Sequence, residues 1–118
     1  MADGGLFIGW GAPIAGREAK GLEVFNEALQ YYGRLQQEGR IQRFDVGLLE
    51  PHGGDLEGFM VLWGSREKLA ELRLDEEFER LTMRAALVVQ GVGVVSVLTG
   101  DDLERGTSIY QQAVEELT

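Results

Sequence analysis

Gly58-Phe59-Met60-Val61-Leu62-Trp63 decides the fold. Read at the period of a strand, Phe59, Val61 and Trp63 face one way, and Met60 and Leu62 the other. Both sides are apolar. A strand with one wet face alternates polar and apolar residues, so this one needs cover on both faces. Leu6-Phe7-Ile8-Gly9-Trp10 upstream has the same character, with Leu6, Ile8 and Trp10 on one face, and it is ended by Gly11-Ala12-Pro13. Downstream, Val92, Val94 and Ser96 alternate with Gly93, Val95 and Val97 in a strand read over 91–98. A fourth strand is read over 41–49, with Phe44, Val46 and Leu48 on one face and Arg43, Asp45, Gly47 and Leu49 on the other. Glu50-Pro51-His52-Gly53-Gly54-Asp55 joins it to Gly58 as a hairpin loop.

Between these runs the period changes. Over 17–38, Leu22, Phe25, Leu29, Tyr32 and Leu35 recur at spacings of three and four, which predicts an amphipathic helix. Gly39 stands where a helix takes a residue of positive φ, and Gly33 inside the helix suggests a close approach to the sheet. Ser65 is an N-cap for a short helix over 66–72, with Leu69 and Leu72 inward. Asp75 caps a second piece that buries Phe78, Leu81 and Ala85, and Glu76 and Glu77 in its first turn suit the positive end of the helix dipole. A last helix, capped near Thr99–Asp101, carries Leu103, Tyr110, Ala113, Val114 and Leu117; it either packs on its own subunit or reaches over a partner. The order strand, helix, strand, strand, helix, strand predicts an α+β, ferredoxin-like βαββαβ fold. Its sheet has four antiparallel strands with helices on one face and an extra C-terminal helix. One layer of helices covers one face, so the other calls for a second copy of the chain.

Size and composition set the remaining bounds. At 118 residues the chain is read as one domain, 1–118, long enough to bury about two thirds of its unfolded surface. Twenty acidic against 11 basic residues give a formal charge of −9, a field that repels phosphate backbones and anionic lipid, so neither nucleic acid nor membrane is expected as a partner. The absence of cysteine excludes disulfides and thiolate metal sites and fits a cytoplasmic location. Residues 1–10 show no basic lead-in and no apolar core of signal-peptide length, and no stretch is long enough to span a bilayer.

Three segments resemble the dimeric α/β-barrel superfamily, and within it the small YCII-type and EthD-type proteins. They are Leu35-Gln36-Gln37-Glu38-Gly39-Arg40-Ile41, Gly54-Asp55-Leu56-Glu57-Gly58-Phe59 and Leu74-Asp75-Glu76-Glu77-Phe78. The resemblance implies a dimeric α/β barrel over about residues 6–117 and chemistry on small molecules, cofactor-independent oxygenation among it. YCII-type proteins usually carry a histidine at the start of the first helix. Arg17-Glu18-Ala19-Lys20-Gly21-Leu22 holds none.

Few residues offer chemistry. His52 is the one side chain that titrates near neutrality unperturbed, and as a general base it needs to face a cavity. Its neighbours Pro51 and Gly53 argue for an exposed turn instead. Arg43 and Asp45 share a strand face and would orient a polar ligand, or else pair with each other or across a dimer. Trp10, Tyr31, Tyr32 and Trp63 suit an apolar pocket with polar tips, or ordinary core and interface packing. Gly91-Val92-Gly93 lacks the lysine and following helix of a phosphate loop, and no residue spacing suits a metal.

The reading for function is a homodimer that binds or transforms a small apolar or aromatic molecule between sheet and helices, in the manner of a cofactor-independent monooxygenase or a YCII-type protein. His52 and Asp45 are the candidate catalytic residues, Trp10, Tyr32, Arg43 and Trp63 the candidate ligand contacts, with no cofactor and no metal. The alternative is a non-catalytic dimeric module that binds a ligand or another protein. The two differ in whether His52 or Asp45 lies inside a closed pocket.

Overall fold

The computed structural model describes residues 3–118, so the first two residues of the stretch read for a leader lie outside it. Strands β1 (Gly4–Trp10), β2 (Arg43–Leu48), β3 (Gly58–Gly64) and β4 (Gly93–Val97) form one sheet in the order β2-β3-β1-β4. Every neighbouring pair is antiparallel, and Leu6 stands opposite both Leu62 and Ser96. Helices α1 (Glu18–Gln37), α2 (Arg66–Arg73) and α3 (Glu76–Ala86) fill the two crossovers, and α4 (Gly100–Glu116) follows β4. This is the ferredoxin-like α+β fold.

The core lies between the helices and one face of the sheet. Leu6, Ile8, Met60 and Leu62 supply the sheet side; Val24, Ala28, Tyr31, Tyr32 and Leu35 of α1, Leu69 and Leu72 of α2, and Phe78 and Leu81 of α3 close over them. Both predicted caps of the second crossover are made. The Ser65 hydroxyl accepts from the Lys68 N–H at 3.1 Å, and the Asp75 carboxylate accepts from the Glu77 N–H at 2.8 Å. Thr99 stands at the N-cap of α4, but its side chain makes no capping hydrogen bond.

Several details differ from the sequence expectations. Leu22 is 66% exposed; it lies over the connection after β1 and the end of β2, off the sheet. Tyr31 is buried instead. The cause is that α1 sits in a corner, with Tyr32 against Phe44 of the sheet and Tyr31 on the flank towards α3, so its buried surface is wider than one stripe. Gly33 makes no close approach: a Cβ there meets nothing within 4 Å. β2 begins at Arg43 rather than 41, and β4 at Gly93, because Gly91 takes φ +63°, outside extended backbone. The last expectation concerns α4: it buries no residue on its own subunit.

The second face of the sheet is open. It carries Phe7, Phe59, Val61, Trp63, Val95 and Val97, opposite in pleat to the core residues. Its aromatic rings lie flat across glycines. A Cβ on Gly47 would stand 2.6 Å from the Phe59 ring, and one on Gly5 would stand 2.8 Å from the Trp63 ring. Phe7 and Phe59 stack with centroids 5.8 Å apart and planes 13° apart. The glycines of these strands thus make the open face smooth as well as apolar.

Candidate functional site

The space between sheet and helices is incompletely filled. At the far end of β1 the chain leaves the sheet and pairs with the segment after α3: Gly11 N–H donates to the Gln90 carbonyl, Gln90 N–H to Ala12 and Ile14 N–H to Val88, at 2.7–2.9 Å. This seam props α3 away from β1. Behind it lies a cavity of about 70 Å³, lined by Ile8, Trp10 and Met60 of the sheet, Val24, Phe25, Ala28 and Tyr32 of α1, Leu81, Thr82 and Ala85 of α3, and Val88, Val89 and Val92 of the seam. Trp10 reaches it because β3 opposes it with Gly58, where a Cβ would stand 2.5 Å from the indole. Phe25 meets the indole edge to face at 6.0 Å.

An apolar cavity of about 150 Å³ takes a benzene ring. The present space is about half that, so a molecule of a few heavy atoms fits as it stands, and an aromatic ring requires side chains to shift. The polar groups at its wall are few. The Thr82 hydroxyl is spent on the Phe78 carbonyl at 2.9 Å. Burial pushes the Tyr32 phenol well above its ordinary range, so it is a neutral hydrogen-bond donor and not a base. Among the described residues no carboxylate, histidine or lysine lines the cavity.

The six residues singled out from the sequence fall in three places. Trp10 and Tyr32 line the cavity. Arg43, Asp45 and Trp63 meet on the open face, where the Asp45 carboxylate accepts from the Trp63 indole N–H at 2.9 Å and from Arg43 at 2.5 Å, through the same oxygen. The Arg43 guanidinium also lies 5.3 Å from the Trp63 ring centroid. The indole hydrogen bond, then the arginine, hold the Asp45 carboxyl below the usual carboxylate range, which fixes it as an anion at neutral pH. His52 stands in the exposed β2–β3 loop with Nδ1 3.0 Å from the Glu50 carbonyl. Neither Asp45 nor His52 reaches the cavity, because β2 turns Asp45 to the opposite face and the loop carries His52 beyond the sheet. The expected grouping of these two with Trp10 and Tyr32 in one pocket is therefore corrected. Phe25, Thr82, Val88 and Val89 line the cavity without having been singled out; the three-residue step from Leu22 to Phe25 was the one signal, and it was read as core.

Among the described residues no group of three or more histidines, cysteines, aspartates or glutamates is placed to hold a metal, and no helix is long and apolar enough to cross a membrane.

No known family profile matches the chain, and no curated protein matches it in sequence. Solved structures do match its fold. A dimeric protein of unknown function and ferredoxin-like fold from Bacteroides fragilis superposes with a TM-score of 0.57 at 13% identity, over 80% of this chain and 95% of that one. A dimeric ferredoxin-like protein from Jannaschia sp. CCS1 gives 0.63 at 12% identity, over 81% and 99%. SnoaB, a cofactor-independent oxygenase from Streptomyces nogalater, gives 0.56 at 14% identity, over 85% and 96%. At these identities the likeness is one of fold.

Proposed function

We propose that the chain, one domain over residues 1–118, is a homodimeric module that holds a small apolar molecule between sheet and helices. The observation that carries this reading is the composition of the cavity wall: an indole, a protonated phenol and aliphatic side chains, with no group that exchanges protons near neutral pH. General acid–base catalysis needs such a group within hydrogen-bond reach of the substrate. Binding does not. The reading is therefore the ligand-binding alternative, with Trp10 and Tyr32 as contacts.

The dimer part of the proposal rests on the open face. Val95 is 56% exposed there, beside half-buried Phe7, Phe59, Val61 and Trp63. A contiguous apolar patch of this kind marks an interaction site. The dimeric ferredoxin-like proteins of similar fold support a second copy as its cover. In that arrangement Arg43 and Asp45 lie at the rim of the interface, on an edge strand. The finer likeness to YCII-type and EthD-type proteins and the cytoplasmic location belong to the same proposal.

A second reading is cofactor-independent oxygenation, favoured by the fold shared with SnoaB and by an apolar space that suits dioxygen. In this reading the substrate itself supplies the electrons, and Tyr32 donates a hydrogen bond to it.

The experiment is a titration with chloroform, an apolar probe of four heavy atoms, read by quenching of Trp10 fluorescence in a Trp63→Phe background. Saturable binding that Ala85→Phe abolishes, by filling the cavity, is the expected outcome. Absence of saturation, or binding indifferent to Ala85→Phe, would overturn the cavity as the site.

A further inference from the structure

The last helix is amphipathic yet unpartnered. Leu103, Tyr110 and Leu117 repeat at intervals of seven with Val114 beside them, the spacing of a helix that packs on another surface. None is buried; Tyr110 is 72% and Leu117 88% exposed. The start of α4 is tied to the body: Asp102 pairs with Arg66 at 2.6 Å, and in the second turn Gly106 leaves room for the Leu98 side chain of the link from β4. Beyond them α4 extends away. The radius of gyration is accordingly 16.2 Å, whereas a compact chain of this length has about 13.5 Å.

A receiving surface of matching character exists on the same chain. Between α2 and β4 runs a groove of about 380 Å³, lined by Leu69, Leu74, Leu98, Arg66 and Arg73 among others. Leu74 is 82% exposed. Arg66 is taken by Asp102, but among the described residues Arg73 makes only one long hydrogen bond, 3.4 Å to the Val94 carbonyl. The distal half of α4 carries Glu115 and Glu116 and no basic residue. An apolar stripe with an acidic end thus matches in character an apolar groove whose Arg73 has no ion-pair partner among the described residues.

We propose that α4 is an arm that lies in this groove on a second copy of the chain, each copy clasping the other. This rests on the dimer reading above and adds the area that reading lacks. Four strands at about 4.8 Å and six residues at about 3.4 Å give the open face a footprint of about 400 Å². A stable interface takes about 800 Å² per partner. Residues 107–116 of α4, lying on their side, cover about 150 Å², and because each copy gives one arm and receives one, the total comes to about 700 Å² per partner, within the range of a specific interface. A two-fold axis makes the contact reciprocal, so the arm and the groove are both satisfied in one closed dimer.

The chain has no cysteine, which makes a direct test available. Leu74→Cys and Val114→Cys proteins, distinguishable by an affinity tag, are mixed and oxidised mildly, while the unmodified protein is sedimented in parallel. The expected result is a mixed disulfide-linked dimer in excess of the self-linked products, with Arg73→Glu weakening dimerisation at least tenfold and Glu115→Lys with Glu116→Lys restoring it. A sedimenting dimer without the mixed product, or with linkage only between two Val114→Cys chains, overturns the arm and leaves the sheet-to-sheet dimer standing. A monomer overturns both.

Discussion

At the scale of the residue, Tyr31 is the most informative side chain. It is 4% exposed, and its hydroxyl has no hydrogen-bond partner among the described residues. Burial, then the charges of Asp75 and Glu77, push its phenol up to about 12. A buried hydroxyl without a partner costs free energy that a phenyl ring does not. Tyr31→Phe is therefore expected to leave the urea midpoint unchanged or raise stability by up to about 1 kcal/mol. A loss greater than that would show the hydroxyl to be bonded through an ordered water. The sign with pH follows from the raised value: the folded state keeps a proton that the unfolded chain releases, so this group's contribution is complete below about pH 10 and lost as pH rises towards 12. In the sequence Tyr31 reads as one of four aromatic residues suited to an apolar pocket or to core packing, beside the stripe that Tyr32 occupies. A single-face period cannot register a helix wedged between a sheet and a second helix. Asp45 was legible as a partner of Arg43, which it does meet at 2.5 Å, but not as a partner of Trp63, and His52 was legible only as a chemistry-bearing type, because the face a strand residue takes is fixed by pairing with other strands. Once β2 is registered on β3 with Asp45 opposite Val61, the carboxylate is committed to the open face.

At the scale of the element, capping and period carried most of the fold. The strands lie within two residues of where alternation placed them, and the Ser65 and Asp75 caps are made as their positions predict. Asp75 does two things: it caps α3 and pairs with Arg40 at 3.0 Å, joining the α2–α3 junction in the middle of the second crossover to the end of the first. The arginine hydrogen bond, then the Glu77 N–H, hold its carboxyl below the usual carboxylate range. Its stabilisation is therefore fully present above about pH 4 and lost as pH falls through the lowered value. Asp75→Ala is expected to cost about 1–2 kcal/mol at pH 7. Urea unfolding of the two proteins at pH 7 and at pH 3 checks this. The gap narrows in acid if the carboxylate is responsible, and an equal gap at both pH values contradicts the assignment. What the sequence could not supply at this scale was the destination of α4. Its stripe is plain in the residues, but a stripe states only that a helix packs, not on what.

At the scale of the whole molecule, the account turns on a sheet with two apolar faces. The distinction between them was partly legible: alternation in 58–63 showed two oily sides, and the count of crossover helices showed that one must go uncovered. Which residues belonged to which side follows from the register. Leu62 faces the helices and is fully buried, so a charge there unfolds the chain. Val95 faces outward, and a charge there leaves the subunit's own core intact. The glycines explain why the open face reads as weaker in sequence than it is in structure. Gly5, Gly9 and Gly47 look like gaps in the pattern, yet they are where Trp63, Phe7 and Phe59 lie down.

Sedimentation velocity of the unmodified protein and of Val95→Asp at micromolar concentration tests the central claim, that a second copy covers the open face. The account predicts a dimer for the former and, for the latter, a monomer whose circular dichroism is still that of the folded subunit. A folded monomer for the unmodified protein, or a Val95→Asp variant that stays dimeric, would contradict it.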